Sequence, residues 1–417
     1  MKEIAEQKNK NNEIFKKKLN YYIKDPIHKE INFSNDKWLA DFAFSFEMTR
    51  LLEIKQLGIS FKIFPSATQN RYSHCLGTFC VAKKFAKHFI NQISKNDRKL
   101  FLLAAMLHDI GHGPFSHVFE KISNINHEKM GMEIIKNPNL QIYHLLKQNK
   151  VNPDSLINVY TGECKQEWIS RLISSNLDVD RIDYLLRDSY YIGTCFSTID
   201  IDFLVERSVL LDNDVCFTKT AINYIESFLL GRFYMHDDIY ANKNTYIYEW
   251  SLIKIFERLK EIKNVFYEKR NNVYFYDFYE WIVFEKKVNI EKTYIYLNDS
   301  NLSSFLWSLK SLNDKILNTF IDGFNNMGDI YAVNFNSYTL EEIKKKAKNI
   351  SIDAKYLFDV IEKKKKQIYY EGEKNMINIY DSAKKEVFRF PSEKILSFKD
   401  NKKENNKIIL INKSLIN

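Results

Sequence analysis

At 417 residues the chain exceeds one minimal core, so a large domain with one or two appendages is expected. A hydrophobic fraction of 45% excludes a disordered chain, and only 11 Gly and 6 Pro argue against a turn-rich sandwich or barrel. The formal charge of +9 sits largely in lysine runs at 16–18, 344–346, 363–366 and 402–403, which read as solvated surface rather than a polyanion-binding face.

Residues 1–20 read as a polar lead, and Met1 begins a stretch without an apolar targeting segment. From Asp25 to about 265 the apolar spacing is mostly helical, with segments predicted near 36–57, 76–94, 98–110, 127–136, 167–188 and 220–262. Within them, residues 100–107 (LFLLAAML) are apolar all round and read as a buried helix. Residues 209–217 place two short apolar runs around Asp212-Asn213-Asp214, the pattern of a β-hairpin. Beyond 270 the texture changes: β-like runs at 293–297, 377–380, 386–390 and 408–411 stand among helices such as 340–366. The expected organisation is a lead at 1–20, a catalytic helical core at 21–270 and an α+β region at 271–417. Five cysteines without a CxxC spacing, and no run of 18 apolar residues, point to a cytoplasmic protein with reduced thiols and no membrane span.

The most informative segment follows the buried helix: His108-Asp109-Ile110-Gly111-His112-Gly113-Pro114-Phe115-Ser116-His117. Adjacent His and Asp offer one nitrogen and one oxygen to a divalent cation, and polar groups at the end of a buried helix need partners. His74, His108, Asp109 and Asp180 together would supply two nitrogens and two oxygens, a set that suits Mn, Fe, Mg, Ni or Zn without choosing among them. No cysteine lies at ligand spacing, against a structural zinc site. Asn126 is also a good helix cap ahead of His127-Glu128.

The order His74, His108-Asp109, Asp180 resembles the HD-domain metal-dependent phosphohydrolases. The longer matches at 54–58, 64–65, 70–74, 108–117 and 178–184 resemble the deoxynucleoside triphosphate triphosphohydrolase branch, over roughly residues 20–260. The resemblance implies a mainly α fold, an HD-domain helical bundle bearing a small β-hairpin. It also implies water attack on the α-phosphorus of a dNTP, releasing deoxynucleoside and inorganic triphosphate, with a divalent metal as cofactor. By position, His117 would be the general acid, and His112 and His127 would bind phosphate or shuttle protons, oriented by Glu120 and Glu128. Arg71, Arg181 and Arg232 would contact phosphates. Tyr184, Asp188 and Tyr240 would surround the sugar, with Gln56 and Leu57 at the 3′-hydroxyl and ribose.

Two departures from the family pattern stand out. Phe44 and Leu52 occupy positions where nucleotide-activated relatives carry Asp and Arg, which argues against activation by a guanine nucleotide. Asn242 stands where the family commonly has His. A homo-oligomer, dimer or tetramer, is implied by the resemblance. The alternatives are another HD phosphohydrolase (a nucleotidase, or one acting on a cyclic dinucleotide or guanosine tetraphosphate), or a nucleotide or nucleic-acid binding module on an HD scaffold. Single-stranded nucleic acid is a disfavoured partner.

Overall fold

The computed structural model describes residues 22–34, 36–362, 369, 375–391 and 407–413. The lead at 1–20 and the end of the 340–366 segment lie outside the described residues.

The fold is mainly α, built around the helix Arg71–His88. Its start is set by Asn70, whose side chain accepts a hydrogen bond from the Ser73 amide at 2.9 Å. This helix packs against Lys95–Leu107 on one side and Val179–Ile192 on another. In Lys95–Leu107, Phe101 to Leu107 are completely buried, as the all-round apolar pattern requires. Each such large side chain contributes about 1.5–3 kcal/mol through burial. That helix delivers His108 at its C-terminal end into the centre of the molecule.

Local polar chemistry cuts several segments that periodicity joins. The 167–188 segment is two helices, Glu167–Ile173 and Val179–Ile192. Asp178 caps the second, accepting from the Arg181 amide at 2.7 Å and the Ser175 amide at 2.8 Å, so the chain cannot run through helically. The 36–57 segment breaks at Ser45, which is extended (ψ 155), and ends in a 3₁₀ turn, Arg50–Glu53. The 220–262 segment divides into Ile222–Tyr234, a wider π turn at Met235–Tyr240, and Thr245–Glu261.

The hairpin is present as Ser208–Leu211 and Asp214–Thr218, paired antiparallel. Its turn residues Asp212 and Asn213 both have positive φ, 47° and 66°, which these two residue types tolerate best after glycine. It is not isolated. Asp214–Thr218 pairs in parallel with Asn378–Asp381, which pairs antiparallel with Glu386–Arg389, so late residues complete an early sheet.

Three corrections fall beyond 270. Residues 293–297 are not a strand: Tyr294–Tyr296 is a 3₁₀ turn that buries Tyr294. The 340–366 segment is helical only at Ser337–Ala347 and the short turn Ala354–Leu357; Phe358–Glu362 is a strand. It pairs with Lys407–Asn412, which also pairs with Ile330–Asn334. That last strand has no counterpart in the sequence reading. The helix Thr245–Glu261 packs along Lys315–Asn326, so the hydrophobic core runs across residue 270. Among the described residues no helix is long and apolar enough to cross a membrane.

Candidate active site

Three helices meet where Arg71–His88, the end of Lys95–Leu107 and the start of Val179–Ile192 converge. They bring His74 Nε2 to 2.9 Å from Asp180 Oδ1 and 3.2 Å from His108 Nε2. His108 Nε2 lies 3.5 Å from both Asp180 Oδ1 and Asp109 Oδ1, and His74 Nε2 lies 3.7 Å from Asp109 Oδ2. The far nitrogens are held by acceptors: His74 Nδ1 by Asp183 Oδ2 at 2.8 Å, and His108 Nδ1 by the Ala105 carbonyl at 2.9 Å. Each Nδ1 therefore carries a proton, and both Nε2 atoms face the two carboxylates, the arrangement of metal-ligating histidines.

The electrostatics favour a positive charge between these atoms. Burial opposes charge on His74, yet hydrogen bonds to Asp180 and Asp183 outweigh it and raise its pKa to about 10. Burial would raise both carboxylates, but the Arg71 guanidinium with the two histidines holds Asp109, and hydrogen bonds to the two histidines hold Asp180, well below the usual carboxylate range. The ligand atoms of His74, His108 and Asp180 lie close enough together to hold a divalent cation, with Asp109 beside both histidines as a fourth donor.

Behind the ligands stands a buried ionic layer. Asp183 receives His28 Nε2 at 2.6 Å, Arg187 Nε at 2.9 Å and Arg187 Nη2 at 3.0 Å, while Arg187 Nη1 reaches Asp25 at 2.8 Å. Nothing in the sequence marks His28 for this place. A lone histidine 155 positions from its partner gives no local signal.

Arg71 is buried and fully engaged, donating to Asp109, to Ser116 Oγ at 2.8 Å and to the Gln56 carbonyl at 3.4 Å. In this arrangement it orients a ligand and ties two loops. Gln56 also donates its amide to the Gln69 carbonyl at 2.9 Å, and Leu57 leads into the 3₁₀ turn Gly58–Lys62. Gly58 has φ +51° and a Cβ there would meet the Phe115 carbonyl at 2.4 Å, so this loop requires glycine.

The second half of the motif forms a histidine cluster. Phe115 and Ser116 both have positive φ, 54° and 59°, which turns the chain sharply into the helix His117–Ser123. The turn is clamped from afar: Asp299 Oδ1 accepts the Phe115 amide at 2.7 Å and Oδ2 accepts the Lys55 amide at 3.0 Å. Ser116 Oγ donates to the Lys55 carbonyl at 2.8 Å. Arg50 donates to the carbonyls of Ile110 and His112, and Tyr294 to that of Gly111. The sequence reading found none of Arg50, Tyr294 or Asp299.

His117 Nδ1 lies 2.7 Å and His127 Nδ1 2.9 Å from one oxygen of Glu120. Partial burial of Glu120 is outweighed by these hydrogen bonds, and its pKa is held at about 2. Of the two expected orienting carboxylates, Glu120 contacts both rings, and Glu128 is exposed on the first turn of His127–Lys136. Asn126 caps that helix as well, accepting from the Lys129 amide at 2.9 Å.

A third group lies beyond His74. The Tyr184 ring is 6.4 Å from that of His74 and 6.3 Å from that of Tyr240. Tyr240 donates to Asp188 at 2.8 Å, and Gln69 Nε2 donates to its other oxygen at 2.8 Å. Burial pushes both tyrosine hydroxyls up, and Arg232 beside them acts in the opposite sense. Arg181 pairs with Asp178 at the helix start. At the first departure, Phe44 is buried against Phe33 and Leu52 is exposed.

Comparison with known proteins places the chain in a family. The HD domain family matches residues 71–188. An uncharacterised protein of Mycoplasma genitalium is 32% identical over 335 residues, covering 73% of this chain and 77% of that one. A protein of Dictyostelium discoideum named as a deoxynucleoside triphosphate triphosphohydrolase SAMHD1 homolog is 30% identical over 241 residues, covering 53% of this chain and 46% of its own length. The crystal structure of a phosphohydrolase from Bacteroides thetaiotaomicron superposes with a TM-score of 0.77 at 23% identity, covering 94% of this chain and 99% of that one.

Proposed function

The chain belongs to the HD-domain phosphohydrolases, and from that premise we propose that it hydrolyses deoxynucleoside triphosphates to deoxynucleoside and inorganic triphosphate. The observation that carries this reading is the adjacency of two unlike clusters bridged by the segment 108–117. His74, His108, Asp109 and Asp180 form a cation-favouring centre, and His112, His117, His127 and Glu120 lie directly beside it.

His74, His108, Asp109 and Asp180 would hold a divalent cation, which would supply Lewis-acid activation and charge neutralisation. The chain's own residues do the rest. Water attacks the α-phosphorus and the bond from that phosphorus to the 5′-oxygen breaks. His117, its Nδ1 proton held by Glu120, donates a proton from Nε2 to the departing 5′-oxygen, and the proton lost by water balances it. His112, His127, Arg181 and Arg232 receive the phosphates, with Arg71 fixing Asp109 between them. Tyr184, Tyr240 and Asp188 bound the sugar, with Gln56 and Leu57 on its other side. A tyrosine packed beneath C2′ excludes a ribonucleotide by collision with its 2′-hydroxyl. The working form in this reading is a cytoplasmic homo-oligomer.

The test is incubation with each dNTP and NTP in Mn²⁺ or Mg²⁺, with products separated by ion-exchange chromatography. Inorganic triphosphate from dNTPs alone supports the reading. Orthophosphate from monoesters, with triphosphates untouched, replaces it by a nucleotidase.

A further inference from the structure

His112, His117, Glu120 and His127 each present one ligand atom, and all four lie within 4.8 Å of one another. Their rings pack together, His112 against His127 at 3.8 Å between centroids and His117 at 5.1 Å from each. Two Nδ1 atoms already converge on a single Glu120 oxygen, at 2.7 and 2.9 Å.

His112 is the anomaly. It is only 1% exposed, and neither of its ring nitrogens meets a hydrogen-bond partner among the described residues. Its Nδ1 lies 3.4 Å from Asp109 Oδ1 without making a hydrogen bond. A neutral imidazole carries one lone pair, and here no hydrogen bond occupies it. Buried imidazole nitrogens are satisfied as a rule, and an unsatisfied one calls for a ligand.

Three imidazoles and one carboxylate are a tetrahedral donor set for a zinc-class cation. Bonds of about 2.0–2.2 Å put such ligand atoms about 3.3 Å apart, so Glu120 and its two histidines need to part by about half an ångström. The His117 side chain is 67% exposed, which gives the cation a route in from solvent.

We propose that His112, His117, His127 and Glu120 form a second, inhibitory site for a zinc-class divalent cation, separate from the His74–His108–Asp180 centre. The inhibitory part rests on the functional reading above. A cation drawing on Nδ1 of His117 displaces the proton shared with Glu120, and the ring can no longer carry positive charge and release a proton from Nε2. Zinc then competes with catalysis without displacing the cation at the first centre.

Metal-free protein is titrated with ZnCl₂, passed through a desalting column and assayed for zinc by mass spectrometry. Wild type is expected to retain two zinc ions per chain, and His127→Ala and Glu120→Gln one each. His108→Ala should lose the other ion and keep this one. One zinc per chain in wild type, or two in both His127→Ala and Glu120→Gln, overturns the site. In turnover assays at saturating Mn²⁺, zinc is expected to lower the rate at least tenfold while bound manganese stays at one per chain; an unchanged rate with the second site filled overturns the inhibitory role. Zinc stoichiometry is read without substrate, so a failure of the triphosphohydrolase reading is seen separately.

Discussion

His74 and Asp183 are joined by a 2.8 Å hydrogen bond from Nδ1 to Oδ2, and both side chains are almost completely removed from solvent. The bond fixes which histidine nitrogen faces the centre. Because Asp183 also receives His28 and Arg187, the ring's orientation is tied to the amino-terminal hairpin Tyr22–Asp25/Lys29–Asn32 and to the Val179–Ile192 helix at once.

Asp183→Asn is therefore expected to weaken metal affinity by about 10–100-fold while leaving all four ligands in place, in keeping with the usual cost of removing an outer partner. Isothermal titration of the metal-free variant with Mn²⁺ measures it. Affinity within twofold of wild type would show that the bond does not orient the ligand.

Replacing the general acid gives a sharper kinetic signature. His117→Gln should lower kcat by about 10²–10⁴-fold with metal content unchanged. A substrate analogue whose leaving group needs no proton should recover most of the loss. Equal losses on both substrates would remove His117 from proton transfer.

Asp299 links the late part of the chain to both active-site loops, and its titration can be followed through stability. Burial raises its pKa from 3.8 to about 6, although it accepts the amides of Phe115 and Lys55. The folded state thus binds the proton more tightly than the unfolded state. Its contribution is most favourable below about pH 4, falls as pH rises to 6, and is level above that. The stability advantage of wild type over Asp299→Asn should shrink by about 2 kcal/mol between pH 4 and pH 7. Urea unfolding at the two pH values reads the difference; an advantage that grows with pH would contradict it.

Regulation offers a separate expectation. Phe44 is packed into the core and Leu52 is an exposed aliphatic, so neither can hydrogen-bond a guanine base. Steady-state hydrolysis of dNTPs is expected to proceed without added GTP or dGTP and to change less than twofold on their addition. Strict dependence on either would place an activator site elsewhere.

Much of the centre was legible because its residues lie in contiguous polar runs at helix ends. His108 to His117 and Asp178 to Tyr184 interrupt apolar periodicity, and such interruptions need a reason. The supporting residues were not legible for the opposite cause. His28, Arg50 and Asp299 each act on a partner at least 60 positions away, and nothing near them in sequence marks it. Glu120 and Glu128 both neighbour His127 in the motif, and only the turn at Phe115–Ser116 decides which one reaches it. The strand Phe358–Glu362 read as helix because its partner, Lys407–Asn412, lies 45 to 53 positions on and supplies the pairing that local pattern lacks.

The most direct measurement is hydrolysis of a dNTP in ¹⁸O-labelled water with Mn²⁺, followed by mass spectrometry of both products. Attack at the α-phosphorus places one label in the inorganic triphosphate and none in the deoxynucleoside, and Asp109→Ala should abolish both products. Label in the deoxynucleoside, or release of orthophosphate or pyrophosphate in place of triphosphate, would contradict the proposed reaction.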